Sequence, residues 1–360
     1  MRMRTAFPAG DERFRGLACG LLAAAFFGLS APLSKRLLAG VGPVLLAGLL
    51  YFAGGLALTV AGWARAARGR PAAEARLGRA DAPLLLGVVA LGGIAGPVLM
   101  LLGLRRVTGF VGSLLLNLEA PLTMALAVAI FREHLSRREL LAAGTIVLGA
   151  AAFRLDPSAS RVDSLGIVLL AAACLCWAVD NNLTQRLSVR DPFAIARVKT
   201  LSAGATNVVL GLVFGDRLES LSLLPAIALV GALAYGVSIV LDNMALRLLG
   251  AAREAAIFAT APFVGALVSV LVLAERPRAW DAAGGALMVA GVVMLLRARH
   301  AHLHRHAPLA HEHAHVHDEH HQHDHGPEDP PGEPHAHAHR HEPMEHEHPH
   351  VSDVHHRHEH

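Results

Sequence analysis

A few polar side chains stand inside long apolar runs, where they are most costly. Glu119 lies two residues after Asn117 and two before Pro121 in one such run. An ionisable group at the centre of a bilayer costs on the order of 2.5–3.5 kcal/mol, so it requires a partner or a wet cavity. Pro121 frees a carbonyl and loosens its helix, offering backbone groups to a cavity. Glu119 reads as a midplane substrate or proton site, or else as a carboxylate that fixes helix packing. Asp180-Asn181-Asn182 sets three polar side chains in succession. Successive helical residues point about 100° apart, so at least one of them faces the interior, and Trp177, one turn before Asn181, can wall the same space. The competing reading puts the triplet at a helix end, with Asp180 paired to Arg186. Arg197 and Lys199 either snorkel to the surface or serve as counter-ions to Asp180 or Glu119. Asp242, followed by Asn243, reads as an interfacial group or a gate. Glu133 and Glu275 fall just past helix ends and read as structural caps.

The second chemical signal is histidine. All but one of the 24 histidines lie from His300 onward, the exception being His134. The densest stretch alternates through His311, His313, His315 and His317, continues through His320, His321, His323 and His325, and resumes at His335, His337, His339 and His341. Imidazole is a good ligand for Zn, Ni, Co and Cu, and many closely spaced nitrogens mixed with carboxylates suit labile, multi-site binding. No fixed tetrahedral spacing marks a structural zinc site. With acidic residues, prolines and no apolar set to build a core, residues 298–360 are expected to be disordered. A solvating tail and a polycation below about pH 6.5 are the alternatives.

The elements that position these residues follow from composition. Apolar residues make up 53% of the 360-residue chain and charged ones 17%, which does not suit a soluble surface. Spanning about 30 Å of hydrocarbon takes roughly 20 apolar residues. Ten blocks approach that length: 16–34, 43–64, 83–104, 108–131, 138–155, 164–185, 193–214, 223–246, 250–273 and 279–297. Connections are short, leaving no room for a soluble catalytic domain before residue 298. The arginines are scattered between blocks rather than gathered on one face, which argues against nucleic acid. Cys19, Cys174 and Cys176 lie within apolar runs and imply no disulfide framework. No phosphate-cradling glycine loop is present, so ATP-driven action by this chain is unsupported.

Two halves repeat. Gly16 aligns with Gly166, Phe27 with Trp177, Ser34 with Thr184 and Arg36 with Arg186; further on, Arg106 aligns with Arg247, Ala120-Pro121 with Ala261-Pro262 and Glu133 with Glu275. Five spans per unit is an odd number, so the second copy enters the membrane inverted, an arrangement suited to alternating access. Arg and Lys are more numerous on the side of the N-terminus, which predicts both termini in the cytosol of a multi-pass inner-membrane protein.

The stretch Leu115-Leu116-Asn117-Leu118-Glu119-Ala120-Pro121, followed by Phe131-Arg132-Glu133-His134-Leu135-Ser136, closely resembles the EamA family of the drug/metabolite transporter superfamily. Ala261-Pro262-Phe263 and Ala274-Glu275-Arg276 look like the same signature in the second half. The resemblance covers residues 16–297. It implies a ten-helix, inverted-repeat carrier of small solutes.

The reading is therefore an all-α membrane protein: a cytosolic segment 1–15, five-helix repeats 16–155 and 164–297, and a disordered His-rich tail 298–360. It is a secondary, gradient-driven carrier of a small metabolite or drug-like solute rather than an enzyme. A divalent metal efflux carrier and a membrane-anchored metal buffer or sensor are the alternatives. Candidate substrate or coupling residues are Asn117, Glu119, Pro121, Trp177, Asp180, Asn181, Asn182, Lys199 and Asp242. No cofactor is required, divalent metal on the tail is expected, and a homodimer is left open.

Overall fold

The computed structural model describes residues 9–68, 77–131, 135–155, 163–187, 190–249, 251–297, 301–306, 309–315, 335–341 and 344–349. Among the described residues, eight helices are long and apolar enough to cross a membrane: α1 Arg13–Leu37, α2 Pro43–Ala67, α3 Arg79–Leu104, α4 Gly109–Ile130, α6 Ser164–Gln185, α8 Leu221–Leu246, α9 Arg253–Val272 and α10 Ala279–Arg297. The other two expected blocks also form helices, α5 Arg137–Ala152 and α7 Pro192–Val213. At 16 residues α5 falls short of a full crossing. In α7, Arg197, Lys199, Thr200 and Asn207 dilute the apolar content.

The outward-facing surface is apolar. Leu56, Val60, Leu148, Val209, Leu229 and Leu271 are all exposed. In water such a girdle would be a large aggregation-prone patch; against acyl chains it is a matched surface.

Helix packing follows a regular pattern. The broadest contacts join α2 to α7, α5 to α10 and α1 to α8, with α3 on α6 and α4 on α9. Exchanging α1–α5 with α6–α10 returns the same set of pairs. Small residues let backbones approach closely at these seams. A Cβ at Gly211 of α7 would lie 2.6 Å from the Leu45 backbone nitrogen of α2, and one at Gly149 of α5 would lie 2.8 Å from the Gly284 carbonyl of α10.

Two helices contain a π-turn at mid-length. In α3, Val88–Ala95 is a π-turn in which Gly96 N–H donates to the Leu91 carbonyl five residues back. In α8, Leu233–Val237 is another, with Ser238 N–H donating to Leu233. Leu91 and Gly96 are separated from Leu233 and Ser238 by the same interval as Glu133 from Glu275. A π-turn shifts the hydrogen-bond register and leaves carbonyls without their usual donor.

The two ends of the bundle differ. At the end holding Lys35, the halves are tied by polar contacts. Lys35 Nζ donates to the carbonyls of Leu104 (2.6 Å) and Val107 (2.7 Å), closing the α3–α4 turn within the first half. Between halves, Glu275 accepts from the backbone N–H groups of Gly109 and Phe110 at 2.7 Å each, capping α4 as expected of a structural carboxylate. Asp216 accepts from Val44 (2.8 Å) and Leu45 (3.0 Å) at the start of α2. Val41 and Leu218 form a short antiparallel bridge. The opposite end, which holds Arg190, has the Arg190–Asp81 ion pair (3.0 Å) and Arg65 stacked 4.5 Å from the Phe193 ring. Glu133, the expected counterpart of Glu275, lies outside the described residues.

Beyond residue 300 the described residues fall into four short strands. Strands β1 Ala301–His306, β2 Leu309–His315, β3 His335–His341 and β4 Met344–Pro349 pair antiparallel, β1 with β4 and β2 with β3. The His-X-His alternation has the period of a strand, a local preference that does not require the apolar core whose lack suggested disorder. In register, His311 opposes His339, His313 opposes His337 and His315 opposes His335.

Candidate functional site

The π-turn of α3 builds the site. Gly96 N–H is committed to Leu91, so the Gly92 carbonyl loses the donor four residues ahead, and the next candidate, Pro97, has no N–H. Pro97 likewise denies a donor to the Gly93 carbonyl four residues before it. Side chains from three other helices serve these oxygens. Tyr51 Oη of α2 (3.3 Å) and Trp177 Nε1 of α6 (3.1 Å) donate to Gly92, and Asn207 Nδ2 of α7 (3.3 Å) donates to Gly93. A buried carbonyl left unpaired is costly, so this arrangement orients Tyr51 and Trp177 closely.

Those side chains wall a cavity of about 520 Å³ between the two halves. The wall is mostly aromatic and aliphatic. Tyr51 and Tyr235, the chain's only two tyrosines, lie with ring centroids 4.8 Å apart. Phe27 meets Tyr235 edge-on at 6.3 Å and Phe258 at 5.1 Å. Gln185, Arg190, Pro192 and Leu246 extend the lining to the Arg190 end. Among the described residues, the loops of the Lys35 end contribute none of the lining.

The polar groups fall into two kinds. Asp180, only 3% exposed, is ion-paired with Lys199 and accepts a hydrogen bond from Thr184 Oγ1 at 3.3 Å. Of the two readings of this stretch, the structure favours the interior one: Lys199 is the counter-ion, and Asp180 lies inside the bundle rather than at its surface. Glu119, by contrast, accepts from the neutral amide of Asn181 at 2.7 Å. It is half-buried and directly follows a 3-10 turn, Leu116–Leu118, in the segment Pro121 loosens. Asp242 of α8 also lines the cavity, with Glu254 of α9 hydrogen-bonded beside it.

Six sequence candidates thus meet in one cavity: Glu119, Trp177, Asp180, Asn181, Lys199 and Asp242. Three do not line it. Asn117 and Asn182 are buried and donate to their own helices, to Leu114 at 3.1 Å and Ala178 at 2.8 Å, and Pro121 shapes the helix from behind. Among the metal candidates, His317, His320, His321, His323 and His325 lie outside the described residues; the other seven lie on β2 and β3. Sequence reasoning missed Tyr51, Tyr235, Phe27, Phe258 and Glu254. The available signal was the scarcity of tyrosine: both copies fall mid-run in equivalent halves, where a phenol needs a partner.

Comparison with known proteins agrees with the architecture. The profile of the EamA-like transporter family matches residues 14–155 and again 164–297. An uncharacterized transporter of Methanothermobacter thermautotrophicus is 30% identical over 297 residues, covering 79% of this chain and 87% of that protein. The uncharacterized transporter YyaM of Bacillus subtilis is 22% identical over 220 residues, covering 58% of this chain and 71% of its own. A crystal structure at 19% identity superimposes with a TM-score of 0.56 over 79% of this chain and 95% of that one. It supports the fold alone.

Gly92 offers a direct test of how the site is built. A Cβ there would overlap the Asp180 carboxylate, which has no room to move while paired with Lys199. Gly92→Ala is expected to lower stability by about 1–3 kcal/mol, the usual cost of overpacking. Thermal unfolding in detergent checks this, and an unchanged midpoint would mean that the ion pair is not held against α3.

Proposed function

The chain belongs to the EamA-like transporter family, and from that premise we propose that it is a ten-pass secondary carrier of two inverted five-helix repeats, moving a small metabolite or drug-like solute by alternating access. It is a membrane transporter rather than an enzyme. One observation carries the mechanism: a cavity lined by both halves reaches the Arg190 end, although Arg190–Asp81 and Arg65–Phe193 also cross between the halves there, while the described loops of the Lys35 end, where Glu275 and Asp216 bridge the halves, line none of it. That is the geometry of a carrier open to one side. The packing pairs that survive exchange of the halves, and π-turns at matching positions, support the inverted repeat. Swapping the conformations of the two halves opens the other end.

The Arg190 end shares its side with the N-terminus, and it is proposed to face the cytosol of the inner membrane. Reporter fusions after Arg70 and after Arg299 are expected to report cytosol; a periplasmic signal at either would overturn the ten-pass topology.

Glu119 is the proposed coupling group. Its hydrogen-bond partner is a neutral amide, so it can gain or lose a proton without breaking an ion pair, whereas Asp180 is neutralised by Lys199. Glu119→Gln keeps size and hydrogen bonding while removing titration. In proteoliposomes screened against amines, amino acids and other small metabolites, the variant is expected to retain exchange of the transported solute and to lose accumulation driven by a pH gradient. A full gradient response in Glu119→Gln would end the coupling role.

The tail is proposed to bind divalent metal as a buffer or sensor. The opposed histidine positions of β2 and β3 put ligands near one another at the level of the backbone. The full-length protein is expected to bind Ni²⁺ or Zn²⁺ at pH 7.5, more weakly as pH falls through about 6.5, because protonated imidazole cannot ligate. Equal binding by a variant ending at Arg299 would remove the tail from metal binding. The metal-carrier reading is not favoured, since no group of three or more His, Cys, Asp or Glu is placed to hold an ion among the described residues.

A further inference from the structure

From the charge balance of the cavity and its aromatic wall, we infer that the solute is an organic cation, an ammonium or similar group on an apolar or aromatic body. The inference rests on the carrier reading above and names its substrate class. Both cationic side chains that line the cavity are engaged by carboxylates: Lys199 by Asp180 and Arg190 by Asp81. The anionic side is in excess. Glu119 is hydrogen-bonded to the neutral amide of Asn181, and Asp242 Oδ1 is buried without a hydrogen-bond partner among the described residues. Asp242 and Glu254 hydrogen-bond as two carboxyls, which requires at least one proton between them, so the pair carries at most about one negative charge. The other cations on the helices packed against α8 are Arg13, Arg15, Lys35 and Arg36 on α1, Arg65 on α2, Arg197 on α7 and Arg253 on α9, and none of them lines the cavity.

The wall fits the rest of such a molecule. Tyr51, Tyr235, Phe27, Phe258 and Trp177 form a nearly continuous set of rings, and ring faces attract cations by their quadrupole. A cavity of about 520 Å³ suits a drug-sized solute. Other classes fit less well. An anion would face uncompensated carboxylates, and the carboxylate of a zwitterion would have to displace Asp180 from Lys199. A bare metal ion would require several ligands within about 2.6 Å, in a space walled mainly by rings.

Equilibrium binding to the detergent-purified full chain tests the class. Probes are labelled phenethylamine and benzyltrimethylammonium, with 2-phenylethanol, phenylacetate, phenylalanine and Zn²⁺ as competitors in excess. The two ammonium probes are expected to bind saturably and displace one another, with the neutral, anionic, zwitterionic and metal competitors at least about tenfold weaker. Glu119→Gln is expected to weaken binding about ten- to hundredfold, the effect of losing a charged partner. Tyr235→Leu is expected to weaken it about threefold or more, with its thermal unfolding midpoint read beside the parent's as the folding control. The inference is overturned if neither ammonium probe binds, if phenylacetate, phenylalanine or Zn²⁺ competes as well as the ammonium probes, or if Glu119→Gln and Tyr235→Leu both bind normally. Transport is read separately. A probe that binds but is not moved by proteoliposomes supports the cation site and defeats the carrier reading, whereas uptake of an anion does the reverse.

Discussion

Backbone hydrogen bonding inside a bilayer organises this protein. Lipid offers no donors, so a carbonyl released from helical register must be served by a side chain. The α3 π-turn and Pro97 together release two carbonyls at one level, and the donors come from α2, α6 and α7. A local irregularity thereby fixes four helices relative to one another. It also aims two aromatic side chains into the cavity, so the feature that stabilises the bundle is the one that shapes its solute space.

The second π-turn is resolved differently. In α8, Ser238 N–H goes to Leu233, which frees the Ala234 carbonyl, and the hydroxyl of the same Ser238 takes its place. The repair of that carbonyl is internal to α8, whereas α3 borrows its donors from three other helices. A matching irregularity in each half, one locked across helices and one closed on itself, is a physical asymmetry between otherwise corresponding elements. The ends of the bundle also differ, in that the cavity reaches the Arg190 end and not the described loops of the Lys35 end.

How much of this was legible depended on what each residue's signal was. Glu119, Asp180 and Lys199 announced themselves because a charge in an apolar run has few acceptable explanations. The landmarks Ala120-Pro121 and Ala261-Pro262 made the two halves visible. The aromatic wall was not legible, since Tyr51 and Tyr235 sit in apolar runs where a ring reads as ordinary packing. Nor was the π-turn: Gly92-Gly93 and Gly96-Pro97 indicated close approach and a kink, but the choice of hydrogen-bond register depends on neighbours contributed by distant helices. Asn117 and Asn182 looked functional for the same reason as Asn181, yet each found a carbonyl on its own helix. Composition cannot say which of several adjacent polar groups turns inward.

The contrast between Asp180 and Glu119 shows why both are present. A carboxylate paired to a lysine in a low-dielectric interior is locked, since removing either partner strands the other's charge. Asp180 is therefore suited to holding α6 against α7 and, through Gly92, against α3. Glu119 is held by an amide that can donate to a carboxylate and accept from a carboxylic acid after rotation, so its charge is free to change with its surroundings. Asn181 sits next to Asp180 on the same helix, so any movement that disturbs the locked pair also moves the partner of the unlocked one. The adjacency of Asp180 and Asn181 is thus what connects the fixed part of the cavity to its titratable part.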